Sequence, residues 1–247
     1  MLEILKAAAM GALLLFLLKI TPMAARLSKW KLVDAYRLIR YKPKPHIYGI
    51  RGYLGLPGAG KTMAMSYELE RLRKKYGDKI YIYTNFYWKG QDKGFDDWRM
   101  LLDEYDKPCI FAWDEVQNEF NSRDFKNFPT ELLTLLTQNR KGHGKRILWT
   151  AQRWGRVDKV FRELTQTVSE CKTHFGRLTT LRTYDWEDYE FLLTCPDVNK
   201  KIKIKPKSKT KFVQTDKIRD SYDSFQMLKS AKDKQFISRE ERAKLVG

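Results

Sequence analysis

An α/β domain built on a mostly parallel sheet flanked by helices is predicted by three observations. A glycine-rich string stands between an apolar run and an amphipathic helical pattern, an acidic pair closes a second apolar run, and further apolar runs alternate with helical spacing through the middle of the chain.

The string is Gly55-Leu56-Pro57-Gly58-Ala59-Gly60-Lys61-Thr62, which fits the phosphate-binding pattern G-x-x-x-x-G-K-[ST] without a mismatch. Ile47, Tyr48, Ile50, Tyr53 and Leu54 form the strand ahead of it. Met63, Met65, Leu69, Leu72 and Tyr76 recur at helical spacing behind it, up to a C-cap at Gly77. Glycines let the backbone wrap a phosphate closely, and the N-terminal end of the following helix adds positive potential. Gly55, Pro57, Gly58, Ala59 and Gly60 therefore form the cradle, Lys61 reaches the β/γ phosphates, and Thr62 ligates Mg²⁺. The predicted class is thus a P-loop NTPase using ATP and Mg²⁺.

Lys79 to Thr84 reads as a second strand ending at Asn85. The polar and aromatic stretch from Tyr87 to Asp106 carries no clear chemistry. Pro108 to Trp113 is an apolar run ending in Asp114-Glu115, which delivers two carboxylates to the sheet edge where the phosphate loop sits. Asp114 is expected to hold Mg²⁺ through water, and Glu115 to orient and deprotonate the attacking water. The pair lies 52 residues beyond Thr62, which leaves room for one helix and one strand.

Pro129 opens a helix expected to run to Arg140, with Leu132, Leu133, Leu135 and Leu136 on the core. Arg146 to Ala151 is another buried strand, and Gln152 at its tip is placed to sense the γ-phosphate. Val157, Val160, Phe161 and Leu164 make a short amphipathic helix accompanied by Arg153, Arg156 and Arg162. Residues 165–186 alternate around Phe175-Gly176-Arg177 as a β-hairpin that adds an antiparallel edge.

The ends differ in character. Residues 1–26 form a hydrophobic N-terminal helix whose uncharged block, Ala7 to Leu18, extends to about 19 residues with interruptions at Lys19 and Pro22, the length of a short membrane span. Basic residues crowd behind it, which places the remainder of the chain on the cytoplasmic side. An interfacial helix with Lys19 snorkelling is the competing reading. Residues 27–46 are a basic amphipathic juxtamembrane segment and linker, 47–195 the ATPase domain, and 196–247 a lysine-rich arm with a short helix capped by Ser238 and Glu241. Seven lysines of the arm, Lys200 to Lys211, lie within 12 residues.

The 247 residues carry 48 Lys and Arg against 30 Asp and Glu, a net charge of +18 that calls for a polyanionic partner, either nucleic acid or an anionic membrane. Three widely spaced cysteines fit a reducing compartment better than a disulfide framework, and Cys171-Lys172-Thr173-His174 has no second pair at zinc-ligand spacing.

With Gly55 to Thr62, Asp114-Glu115, Gln138-Asn139-Arg140 before a glycine turn, Thr150-Ala151-Gln152, and Val157-Asp158 followed by Arg162, the chain resembles the zonular occludens toxin-like family. That family includes the inner-membrane assembly ATPases of filamentous phages and belongs to the FtsK/HerA class. The resemblance covers roughly residues 47–190. It implies a membrane-bound, ring-forming ATPase, with a hexamer favoured, at the cytoplasmic face of the bacterial inner or only membrane. It further implies extrusion of phage DNA, single-stranded favoured, together with other phage assembly or coat proteins. A neighbouring subunit's arginine completes the site in ring motors, and Arg140 and Arg162 are the candidates here. The family typically carries its membrane segment after the ATPase domain. Here the hydrophobic block comes first, an arrangement that fits a host with a single membrane. A genome-packaging ATPase and a nucleotide-dependent membrane scaffold are the alternative functions.

Overall fold

The computed structural model describes residues 21–37, 39–40, 45–95, 97–120 and 129–223. The apolar block at 7–18 and the Ser238–Glu241 capping box lie outside them. The chain divides into two units, 1–44 and 45–247. In the first, residues 21–37 are helical (α1), as are 39 and 40, and Leu27, Trp30, Leu32, Tyr36 and Ile39 are exposed. Among the described residues no helix is long and apolar enough to cross a membrane.

The second unit is organised by one sheet. Its strands are β1 (Gly49–Leu54), β2 (Tyr81–Thr84), β4 (Lys93–Gly94), β5 (Cys109–Trp113), β6 (Lys145–Ala151), β7 (Thr167–His174), β8 (Leu178–Asp185) and β9 (Ser208–Val213), in the spatial order β4-β2-β5-β6-β1-β7-β8-β9. Pairings from β4 to β7 are parallel, and β8 and β9 run antiparallel. A small ribbon pairs β3 (Tyr87–Trp88) with β10 (Tyr222–Asp223).

The central strands are apolar on both faces because helices or loops cover both. On β5, Cys109, Phe111 and Trp113 join one core with Ile147 and Trp149 of β6. Ile110 and Ala112 join the other with Leu148, Tyr53 and the buried Met65 and Leu69 of α2 (Lys61–Tyr76). Each large side chain fully buried this way contributes about 1.5–3 kcal/mol. Gly52 of β1 admits the Trp149 ring, which a Cβ there would meet at 2.4 Å.

The remaining helices are α3 (Thr130–Thr137), α4 (Lys159–Leu164), α5 (Trp186–Thr194), α6 (Val198–Lys203) and α7 (Asp216–Arg219). Two expectations need correction. Helix α3 ends at Thr137 rather than Arg140, because the chain turns at Gln138 so that the Asn139 carbonyl accepts the Lys145 N–H at 2.7 Å and starts β6. Leu132 and Leu136 are buried as expected, whereas Leu133 is exposed. The segment read as a lysine-rich arm also supplies structure over residues 198–223. Alternation of Lys209 and Lys211 with Thr210 and Phe212 makes β9, which pairs with β8 and buries Phe212.

Candidate active site

Strands β1, β5 and β6 run parallel, so the segments that follow them share one edge of the sheet. Leu54 stands beside Ala151, and Trp113 beside Trp149, which brings the phosphate loop, Thr150 and Asp114-Glu115 together. Strand β6 lies between the loop strand and the acidic strand.

The loop's last residue, Gly60, has φ 87° and caps α2 without a side chain, and the first turn of α2 contains no acidic residue. Its amides are therefore left for an anion. A Cβ on Gly60 would meet the Thr173 hydroxyl at 2.6 Å. Glycine is thus required twice, by the left-handed backbone and by this approach.

Around Asp114, the Thr62 hydroxyl donates to Oδ1 at 3.0 Å and the Thr150 hydroxyl at 2.5 Å. The Asn85 amide brackets the Asp114 backbone, donating to its carbonyl at 3.0 Å and accepting its N–H at 2.7 Å. A threonine hydroxyl against a carboxylate is the oxygen donor set that suits Mg²⁺, which keeps several waters and takes few protein ligands. These residues therefore fit the metal.

Glu115 has φ 53° and ψ 51°, a left-handed conformation unusual outside glycine and concentrated at functional sites. The bend turns its carboxylate toward Lys61, whose Nζ lies 3.5 Å from Oε1. The Thr150 hydroxyl fixes the Glu115 amide at 2.9 Å, and the buried Gln117 amide donates to Oε2. Lys61 is only 7% exposed, and its contacts to Glu115 and to the Leu56 carbonyl are both 3.5 Å long. Neither matches the short charge-assisted bond that a phosphate oxygen accepts.

Gln152 follows the last residue of β6, half-buried, with its amide oxygen accepting from Arg156 at 3.4 Å. The two candidate arginines lie elsewhere. Arg140 is exposed ahead of β6, at the opposite edge of the sheet. Arg162 is engaged within its own chain, 3.2 Å from Glu190 and stacked over Trp154. A hollow of about 720 Å³ bounded by Tyr105, Lys107, His143 and Lys145 also opens at that opposite edge, and none of the loop or acidic-pair residues lines it.

Sequence reasoning passed over Asn85, Gln117 and a third group that grips the loop from outside. The Thr173 hydroxyl donates to the Ala59 carbonyl at 3.0 Å, and the buried Gln214 amide donates to Thr179 at 2.8 Å and Thr173 at 3.3 Å. Only tertiary folding brings these residues to the loop. Cys171 belongs to the core beneath them, its thiol pKa pushed up to about 12 by burial. Among the described residues no three His, Cys, Asp or Glu side chains converge on a metal site.

Burial pushes the Asp114 carboxyl above the usual carboxylate range, against the two threonine bonds, and the neighbouring Glu115 charge acts the same way. A carboxyl raised in the folded state removes stability as pH climbs from its unfolded value through its folded one. Asp114→Asn therefore raises the melting temperature of the ligand-free protein by a few degrees at neutral pH. Thermal melts at pH 4 and pH 7 check this, since the difference between the two proteins must shrink at the lower pH.

No family model and no curated protein matches the chain. Among solved structures, the N-terminal domain of zonular occludens toxin from Neisseria meningitidis is 20% identical over 72% of this chain and 100% of its own, with a TM-score of 0.47. The chain is similar to a zonular occludens toxin domain. It is similar also to the genome packaging NTPase B204 of Sulfolobus turreted icosahedral virus 2. In complex with sulfate that protein is 12% identical over 68% of this chain and 96% of its own, TM-score 0.43. In complex with ATP-gammaS it is 12% identical over 51% and 76%, TM-score 0.40. The zonular occludens toxin domain bears the name of the family that the motifs resemble.

Proposed function

We propose that this chain is a membrane-anchored, ring-forming ATPase that drives the extrusion of phage DNA during assembly of a filamentous virion. The observation that carries the reading is the convergence of Lys61, Thr62, Asp114, Glu115 and Thr150 at one sheet edge, with Glu115 held in a left-handed conformation against Lys61. That arrangement suits hydrolysis rather than binding alone, because a scaffold has no use for a strained carboxylate beside the phosphate lysine.

On this reading the amides of residues 58–62 cradle the phosphates of ATP. Lys61 leaves Glu115 for the β/γ phosphates, which frees the carboxylate to take a proton from the attacking water. Thr62, and Asp114 through water, would hold Mg²⁺, which would supply positive charge to the phosphates. Gln117 and Thr150 keep Glu115 in place, and Gln152 meets the γ-phosphate from β6. A neighbouring subunit supplies the arginine. With Arg162 tied to Glu190 and Trp154, Arg140 and the exposed Arg156 are the freer candidates.

The net charge of +18 supports a nucleic-acid substrate, and the apolar block with its basic flank supports the anchor at the cytoplasmic face. Steady-state ATP hydrolysis by the detergent-solubilised protein tests the reading, compared without DNA, with single strands and with duplex at two salt concentrations. Stimulation by single strands that fades with salt is expected. Preference for duplex would move the function to genome packaging, and indifference to both would remove DNA from it.

A further inference from the structure

The antiparallel wing of the sheet has two unlike faces. One row set, Ser169–Thr183–Ser208, Cys171–Leu181–Thr210 and Thr173–Thr179–Phe212, turns inward and buries Cys171, Leu181, Thr179 and Phe212. The alternate rows begin with Val168–Tyr184, buried with Tyr189 of α5, and continue beyond that cover as Glu170–Arg182–Lys209, Lys172–Thr180–Lys211 and His174–Leu178–Val213. Lys172, Arg182, Lys209, Lys211 and Val213 are all exposed. These rows hold four fixed positive charges against one carboxylate, Glu170.

Lysines on an edge strand commonly serve only to discourage pairing with another chain. That accounts for Lys209 and Lys211 on β9. It does not account for Lys172 on β7 and Arg182 on β8, which lie on inner strands. At the end of the same face, Phe175 forms the hairpin tip with φ 50°, is 97% exposed, and stands 6.5 Å from the His174 ring. A solvent-facing ring at the end of a basic track is the pairing used to hold single strands, where phosphates follow the charge and an unstacked base lies on the aromatic.

We propose that the outer face of β7, β8 and β9, with Lys172, Arg182, Lys209 and Lys211 for phosphates and Phe175 for a base, is a single-stranded nucleic-acid interface. The inference rests on the DNA-handling reading above and assigns the surface that meets the strand. Strand β7 connects it to the hydrolytic site, since Lys172 and His174 face outward while Thr173 between them holds the phosphate loop through Ala59.

The test is anisotropy of a labelled oligothymidylate with the full chain in detergent, without nucleotide, over a range of salt. Lys209→Ala/Lys211→Ala should weaken binding and lower the slope of log K against log salt by about 0.7 per lysine. Phe175→Ala should weaken binding roughly 5- to 100-fold with the slope unchanged. All three side chains are exposed, and circular dichroism confirms that the fold is retained. Wild-type binding in both variants overturns the proposal. So does duplex binding that exceeds single-strand binding and ignores Phe175→Ala, or a loss confined to phosphatidylserine vesicles. Lys61→Ala separates this from the ATPase reading: it should bind the oligonucleotide normally while hydrolysing nothing, and a protein that binds so but never hydrolyses ATP leaves the surface standing alone.

Discussion

Lys61→Ala will hydrolyse no ATP above background, and Glu115→Gln will bind ATP with near-normal affinity while turning it over at least about 100-fold more slowly. The two substitutions remove different things from one pair of side chains. Lys61 is a buried cation beside Glu115, and on the proposed ATPase reading its loss removes ground-state binding of the β/γ phosphates and stabilisation of the transferring group together. Glu115→Gln keeps the shape, and the left-handed backbone remains fixed by the Thr150 hydroxyl on the amide. What disappears is the basicity that accepts a proton from water. Fluorescent nucleotide binding alongside phosphate release distinguishes the outcomes. Equal loss of binding in both variants would make Glu115 a ligand or structural group, and normal turnover in Lys61→Ala would remove the phosphate-loop assignment.

The residues that converge at the sheet edge were legible because they are contiguous or follow an apolar run. Gly55 to Thr62 and Asp114-Glu115 announce themselves by residue type and by the strands that deliver them. The groups that position them were not legible. Asn85 holds Asp114 across 29 residues, Thr150 holds Glu115 across 35, and Thr173 holds Ala59 across 114. Each is an ordinary polar residue whose role comes from the strand register. Strand β9 was missed for another reason. In Ser208 to Val213 the lysine count hid a period-2 pattern whose inward positions are Thr210 and Phe212. Arg140 and Arg162 could not be ranked from sequence, since only the fold ties Arg162 to Glu190 and Trp154 and leaves Arg140 exposed.

Glu68→Ala will destabilise the domain by about 3–5 kcal/mol, although Glu68 touches neither the phosphate loop nor the acidic pair. Its carboxylate, on the inner face of α2, accepts from Arg51 of β1 at 2.9 Å, from Arg146 of β6 and from the Tyr53 phenol. Arg51 also donates to Ser169 at 2.9 Å and to Thr183 at 3.1 Å, so one cluster joins α2 to β1, β6, β7 and β8. Burial alone would lower the Arg51 pKa, but the Glu68 carboxylate beside it acts the other way and the pKa is raised, which keeps the guanidinium charged. Burial and the Glu68 charge likewise hold the Tyr53 phenol well above its ordinary value and protonated. Removing Glu68 would leave two half-buried guanidinia and a phenol without their common acceptor, and uncompensated charge in such a site costs more than the intact cluster contributes. For a domain of this size the loss corresponds to a fall in Tm on the order of 10 °C. Glu68→Gln keeps one carbonyl oxygen and should lose less. Saturating ATP should recover part of the fall, because α2 begins at the phosphate cradle and ligand binding stabilises the state in which that cradle is formed. Thermal melts of the three proteins with and without nucleotide check both points. A Tm in Glu68→Ala within a degree of wild type would mean that the apolar contacts of Met65 and Leu69 hold α2 without the ionic cluster.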